Sequence, residues 1–241
     1  MTISYLFILV VGGFVLYVAS KVNSSDTEII IGQKREVREI SERIQEVLEA
    51  EKIEKRLERQ LKVVVTEAGK LFKGNEFKQA EKKYLGIIKE DVKNIKAYQG
   101  LGLIYLEEKE YEGAAEAFRK VCELDPTNDI AFNNLGMTFF NLKRYDEAIG
   151  AYENSVALNP NVSHRYINLA LAASKAKNYK VQIKALEKAI SLDPKTSYLE
   201  ELVSAAMKVK DNQLLLKTLE KIIEIDPNNS EAQRKLTRLK K

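Results

Sequence analysis

The sequence predicts an all-α protein that is built largely from repeated helix pairs. Two observations indicate this fold class. Apolar residues recur at spacings of three and four, the period of one helix face, as at Tyr98, Leu101 and Tyr105. The prolines at positions 126, 160, 194 and 227 are separated by 34, 34 and 33 residues, which indicates one structural unit repeated along the chain.

The first stretch of the chain, from Ile3 to Ser20, contains no charged residue. As a helix, these 18 residues would rise about 27 Å, close to the roughly 30 Å of a bilayer's hydrocarbon core. We therefore predict a transmembrane anchor over residues 1–21. The alternative is a cleaved signal peptide, but such peptides begin with basic residues, and residues 1–5 contain none.

The distribution of basic residues around this segment predicts its orientation. Basic residues follow the segment and none precedes it, so we expect a single-pass membrane protein whose remaining chain lies on the cytoplasmic side. These basic residues are Lys21, Lys34, Arg35 and Arg38.

Residues 22–60 begin with a short polar joint and continue as a stretch dense in Glu, Arg and Lys without proline. This composition predicts a charged helical stalk. Val37, Ile40, Ile44 and Val47 follow a coiled-coil spacing, but the pattern slips near Glu51, before the three or four heptads that a coiled coil needs. A charged helical spacer and a weak dimerising coil both remain open.

The repeats that follow carry a specific residue pattern. A first copy has Tyr98, Leu101, Gly102, Tyr105, Ala114, Phe118 and Pro126, and a second has Phe132, Leu135, Gly136, Phe139, Ala148, Tyr152 and Pro160. This pattern resembles the tetratricopeptide repeat, in a membrane-anchored bacterial or organellar type of protein. The resemblance implies a right-handed α-α superhelix of about four to five helix pairs, and the glycine and alanine slots are where two antiparallel helices would cross closely.

The repeat pattern predicts the remaining domain limits. The repeat domain spans residues 61–228, with repeats at about 61–94, 95–128, 129–162, 163–195 and 196–228. The first repeat is degenerate, with Val92 in place of the proline, and the last two lack the glycine. Residues 229–241 are expected to form a capping helix, which an open repeat array needs at its end.

Composition and motifs argue against catalysis. A net charge of +4 is too small to favour a nucleic-acid partner. One cysteine, Cys122, allows no internal disulfide, and with the single histidine, His164, it leaves little material for a metal site. The chain has no glycine-rich phosphate loop and no nucleophile elbow, so we expect a protein that is not an enzyme and has no cofactor.

The resemblance implies that the first helices of successive repeats line a concave groove for a peptide or a partner's helix. Asn134 and Asn168 occupy the same slot in adjacent repeats, and amide side chains both donate and accept hydrogen bonds, so the two could hold a peptide backbone. The alternative is that they only cap or fill local structure. The full set of predicted groove residues is Phe72, Lys96, Leu106, Asn133, Asn134, Phe140, Asn141, His164, Asn168 and Lys175.

We therefore expect a membrane-anchored scaffold or adaptor that presents a protein-binding groove and acts in the assembly of a membrane-associated complex. The alternative is a structural protein that self-associates into a coat or homo-oligomer without a dedicated client.

Overall fold

The computed structural model describes residues 7–11, 14–18 and 27–240, with side chains from residue 37 onwards. Within these ranges the chain forms two strands and eleven helices. They are β1 (Phe7–Val11), β2 (Phe14–Val18), α1 (Thr27–Lys73), α2 (Phe77–Glu90), α3 (Ile95–Glu107), α4 (Tyr111–Leu124), α5 (Asp129–Asn141), α6 (Tyr145–Leu158), α7 (Ser163–Lys175), α8 (Tyr179–Leu192), α9 (Thr196–Val209), α10 (Asn212–Ile225) and α11 (Ser230–Leu239). The chain divides into two compact units, Met1–Leu61 and Lys62–Lys241.

The N-terminal unit differs from the sequence prediction. β1 and β2 pair antiparallel, from Phe7 opposite Val18 to Val11 opposite Phe14, so the predicted helix over residues 3–20 is wrong for residues 7–11 and 14–18. Both segments are rich in β-branched and aromatic residues and flank a Gly-Gly pair in the sequence, a pattern typical of a tight hairpin. The rest of the predicted span and the polar joint at residues 22–26 lie outside the described residues.

Helix α1 is 47 residues long and continues through residue 61 into the first repeat. Every side chain from residue 38 to residue 60 is exposed, including the apolar Ile40, Ile44 and Val47. Among the helices of residues 27–240, none is both long enough and apolar enough to cross a bilayer.

The repeat unit is an all-α array in two layers. First helices α3, α5, α7 and α9 each pack against the second helix of their own repeat and against the second helix of the preceding one. The core lies between the layers and is filled by residues such as Phe118, Leu135 and Leu186, none more than 7% exposed. Because each such side chain contributes about 1.5–3 kcal/mol when buried, neighbouring repeats stabilise one another.

Polar residues set the junctions between repeats. Asn128 caps α5 by accepting a hydrogen bond from the Ala131 amide at 3.0 Å. Asp125 accepts from the Thr127 amide at 3.1 Å, which closes the turn after α4. Side-chain caps of this kind satisfy amides that the helix leaves unpaired at its start.

The turn inside each repeat uses a left-handed residue. In the third repeat Lys143 has φ 61°, its amide donates to the Phe140 carbonyl at 3.0 Å, and the Arg144 amide donates to the Phe139 carbonyl at 2.9 Å. This pair of bonds is the Schellman motif, which usually has glycine at the left-handed position. The residues at the same position in the other repeats also have positive φ, between 59° and 63°; they are Asn75, Lys109, Lys177 and Lys210.

The glycine slots of the second and third repeats lie directly against an aromatic ring of the paired second helix. A Cβ added to Gly136 would lie 2.7 Å from the ring of Tyr152 on α6, and one added to Gly102 would lie 2.7 Å from the ring of Phe118 on α4. The predicted close crossing is therefore confirmed, because a buried aromatic ring fills the space above each glycine.

Candidate peptide-binding face

The predicted groove residues lie at the end of α1 and on first helices α3, α5 and α7. Six of them are half-buried and four are exposed. The half-buried ones are Phe72, Leu106, Asn133, Asn134, Phe140 and Asn168. The exposed ones are Lys96, Asn141, His164 and Lys175.

The asparagines make one contact between adjacent repeats. The side-chain amide of Asn168 on α7 donates to the side-chain oxygen of Asn133 on α5 at 3.3 Å. The sequence matched Asn168 with Asn134 by slot, whereas the structure joins it to the preceding residue. In the described part of the chain neither the Asn133 amide nor the Asn168 oxygen makes another hydrogen bond. The pair therefore presents one donor and one acceptor, the set that a peptide backbone requires.

Three other predicted residues make local contacts. The Asn141 side chain donates to the Met137 carbonyl at 2.9 Å near the end of its own helix. Phe140 meets the ring of Tyr145 edge-on, with ring centroids 5.5 Å apart. Phe72 packs against Phe77 with the two ring planes tilted by 44° and the centroids 5.6 Å apart. The aromatic residues thus anchor the helix pairs with part of each ring and leave the remainder accessible.

A buried ion pair that the sequence analysis missed fixes α7 against α5. The Arg165 guanidinium, 7% exposed, pairs with the Asp129 carboxylate. Asn159 also donates to that carboxylate at 2.8 Å, and the Ser155 hydroxyl donates to the Asp129 carbonyl at 2.7 Å. The hydrogen bonds from Arg165 and Asn159 hold the pKa of Asp129 below its usual value.

This network has a geometric consequence for the asparagine pair. Arg165 and Asn168 lie one turn apart on α7, and Asp129 and Asn133 lie one turn apart on α5. The ion pair therefore fixes the spacing of the two helices at which the amides meet. A signal for it existed in the sequence, since Arg165 occupies the slot held by Ala97 and Ala131 in the two preceding repeats.

A further hydrogen bond joins the first two repeats. The Tyr105 hydroxyl on α3 donates to the Glu81 carboxylate on α2 at 2.8 Å. Burial of the hydroxyl, and then this bond, raise the pKa of Tyr105 to about 12. This bond helps to fix the second repeat against the first.

The single histidine and the single cysteine lie on different helices, α7 and α4. His164 is exposed at the start of α7. Cys122 is half-buried on α4, and burial raises the pKa of its thiol to about 11, so it is almost entirely protonated at neutral pH. Among the described residues, no three His, Cys, Asp or Glu side chains are grouped closely enough to hold a metal ion.

Comparisons with known proteins agree with this architecture. Three models of the tetratricopeptide repeat match the chain, at residues 102–143, 130–162 and 163–196. A comparison with curated protein sequences found no match.

Several solved structures share the fold. YrrB, described as a TPR protein with an unusual peptide-binding site, is 20% identical with a TM-score of 0.61, over 71% of this chain and 89% of its own. MamA from Desulfovibrio magneticus RS-1 is 20% identical with a TM-score of 0.59, over 70% and 97%. Pseudomonas aeruginosa PilF is 20% identical with a TM-score of 0.54, over 73% and 81%.

Proposed function

We propose that this chain, a tetratricopeptide repeat protein, is a non-enzymatic adaptor that binds an extended peptide of a partner protein on the face of its first helices. The observation that carries the proposal is the Asn133–Asn168 pair, held 3.3 Å apart with one amide donor and one carbonyl acceptor still available. The half-buried Leu106 and Phe140 lie on the same face and would add apolar contact. YrrB, a structural neighbour, is itself described as having a peptide-binding site.

Site-specific photocrosslinking tests which face is used. A photoreactive amino acid at His164, exposed on the first-helix face, should capture a partner in native cells, and the same group at Gly150, exposed on second helix α6, should not. Capture from position 150 alone would place the partner elsewhere and contradict the proposal.

Binding of the captured peptide then tests the asparagines. Each neutral hydrogen bond contributes about 0.5–1.5 kcal/mol net, and each 1.4 kcal/mol is a factor of ten in affinity. Replacing both Asn133 and Asn168 by alanine should therefore weaken binding by about tenfold to a hundredfold. A double variant that melts much earlier than wild type would assign the asparagines a structural role instead.

We also propose that the uncharged segment of residues 3–20 attaches the protein to a membrane, with the repeats on the cytoplasmic side. The lack of charge and the basic residues after the segment support this. Full-length protein should resist alkaline carbonate extraction, and deletion of residues 1–21 should release it. A mature soluble protein that starts at Lys21 would instead indicate a signal peptide.

Self-association is the second candidate function, and the exposed apolar residues of α1 favour it. Ile40, Ile44 and Val47 are 49%, 41% and 58% exposed at a coiled-coil spacing. Light scattering of the full chain in mild detergent separates the two candidates. A discrete monomer or dimer favours the adaptor, and large assemblies that Ile44→Lys disperses favour the structural protein.

A further inference from the structure

The fourth repeat is a basic segment between two acidic repeats. Residues 163–195 contain seven Lys and Arg against two Asp and Glu. The preceding repeat, residues 129–162, has two against four, and the following one, residues 196–228, has four against six. Arg165 is buried in its pair with Asp129, but the other six basic residues are exposed, so the charge of the fourth repeat lies mainly on its surface.

The basic residues of this repeat form a row on second helix α8. Lys180, Lys184 and Lys188 are spaced by four residues and all are exposed, so they lie on one side of the helix, about one turn apart. Within residues 37–240 none of the three has a carboxylate within salt-bridge distance, whereas Lys195 in the same repeat pairs with Asp193 at 2.7 Å.

An apolar groove runs beside this row. It lies between α6 and α8, with a volume of about 670 Å³, and its lining includes Val156, Tyr166, Leu169 and Val181. Lys180 and Lys184 line its α8 side, and Glu153 lies on the α6 side. Tyr166 and Leu169 come from first helix α7, and the other lining residues come from second helices α6 and α8 or their ends. Neither Asn133 nor Asn168 lines this groove, so it is a different surface from the one that carries them.

We propose that this groove binds an amphipathic helix of a partner protein that carries acidic residues beside its apolar face. A helix laid between α6 and α8 would place apolar side chains, at spacings of three and four, onto the groove floor. Acidic residues four apart on its flank would match the one-turn spacing of the lysines. The two charge patterns would then attract each other beside an apolar floor, where water is partly excluded.

The next repeat provides a natural comparison. Its second helix, α10, has lysines in the slots of Lys184 and Lys188, but glutamine in the slot of Lys180. Both helices have a glutamate beside these lysines, Glu187 on α8 and Glu220 on α10, and α10 adds Glu224. The groove between α8 and α10 measures only about 220 Å³. Two of the three lysines are therefore shared by both repeats, and Lys180, the net positive charge and the larger groove distinguish the fourth.

The test uses a fluorescein-labelled synthetic helix with leucine at positions i, i+3, i+4 and i+7, glutamates four residues apart on the flank that would face α8, and uncharged residues on the flank that would face Glu153. Its binding to the full chain in mild detergent is followed by fluorescence anisotropy. Lys180→Glu combined with Lys184→Glu should weaken binding at least tenfold. The matched control, Lys217→Glu combined with Lys221→Glu, makes the same charge change four residues apart on α10 and should alter binding less than twofold.

Two further variants separate the contributions. Ala157→Trp fills the groove from its exposed α6 side without changing charge and should weaken binding at least fivefold. The double alanine variant of Asn133 and Asn168 should leave binding of this probe unchanged, so that failure here and failure of the first-helix face remain distinguishable. Thermal melts followed by circular dichroism confirm that each variant is folded.

Four results would overturn the proposal. The first is that the probe does not bind wild type, and the second is that the α8 and α10 variants lose probe binding equally. The third is that a scrambled probe of the same composition binds equally well. The fourth is that wild type binds anionic phospholipid vesicles but not the probe, and that the variant of Lys180 and Lys184 no longer binds the vesicles. The last result would assign the lysine row to a membrane surface.

Discussion

Replacing Gly136 by alanine is the most direct test of the close crossing of α5 and α6. Alanine in place of a helical glycine normally stabilises by about 0.5–1 kcal/mol. Here the added methyl group would lie 2.7, 2.8 and 2.9 Å from three ring carbons of Tyr152, which is only 3% exposed. Because overpacking a buried site costs about 1–3 kcal/mol, we expect a net loss of about 1 kcal/mol.

Gly150 on α6 provides the matched control. It is helical and exposed, and nothing lies within 4 Å of an added Cβ, so Gly150→Ala should gain about 0.5–1 kcal/mol. Urea denaturation followed by circular dichroism measures both changes, provided that the denaturant slope is unaltered. In a Tyr152→Leu background the ring is absent, and Gly136→Ala should no longer be destabilising. Equal gains from Gly136→Ala and Gly150→Ala in the wild-type background would refute the close crossing.

Three further predictions follow from individual side chains. Lys143→Gly should raise the free energy of unfolding by about 0.5–1 kcal/mol, since a lysine in the left-handed region is strained. Lys143→Ala should not raise the free energy of unfolding in the same urea experiment. The Cys122 thiol, with its pKa raised to about 11, should react with Ellman's reagent at mildly alkaline pH much more slowly in the native protein than in urea, and equal rates would contradict its burial. The pKa of the Asp129 carboxyl is lowered from its usual 3.8 in the folded protein. As the pH falls, the unfolded chain therefore binds a proton at Asp129 before the folded protein does, and the stability that Asp129 contributes is lost as the pH falls through and below 3.8. Between pH 5 and pH 3, the melting temperature should therefore decrease more steeply for wild type than for Asp129→Asn.

The sequence predicted the repeat array well because its signals are local. Helix periodicity, capping residues and the prolines after second helices all act within one repeat, and the same signals recur in successive copies. The N-terminal segment was predicted less well, since a continuous apolar run fits either a helix or two strands. The Gly-Gly pair at residues 12 and 13 was the signal that favoured strands.

The candidate site could be predicted only in part. Matching residues by slot placed Asn168 beside Asn134, but the structure joins Asn168 to Asn133, because equal slots on successive helices need not face each other. The ion pair of Arg165 with Asp129 joins residues 36 positions apart, and no periodic pattern encodes a contact of that kind. Its only sequence signal was a large charged residue in an alanine slot.

The uneven charge of the array has a consequence for its behaviour in solution. A chain with a basic fourth repeat and acidic neighbours can attract another copy of itself through unlike patches even though its net charge is +4. Salt shortens the reach of that attraction, from about 30 Å at 0.01 M to about 10 Å at 0.1 M. The protein should therefore salt in: its solubility and its second virial coefficient should both rise as salt is first added, the opposite of what uniform repulsion between like-charged particles would give.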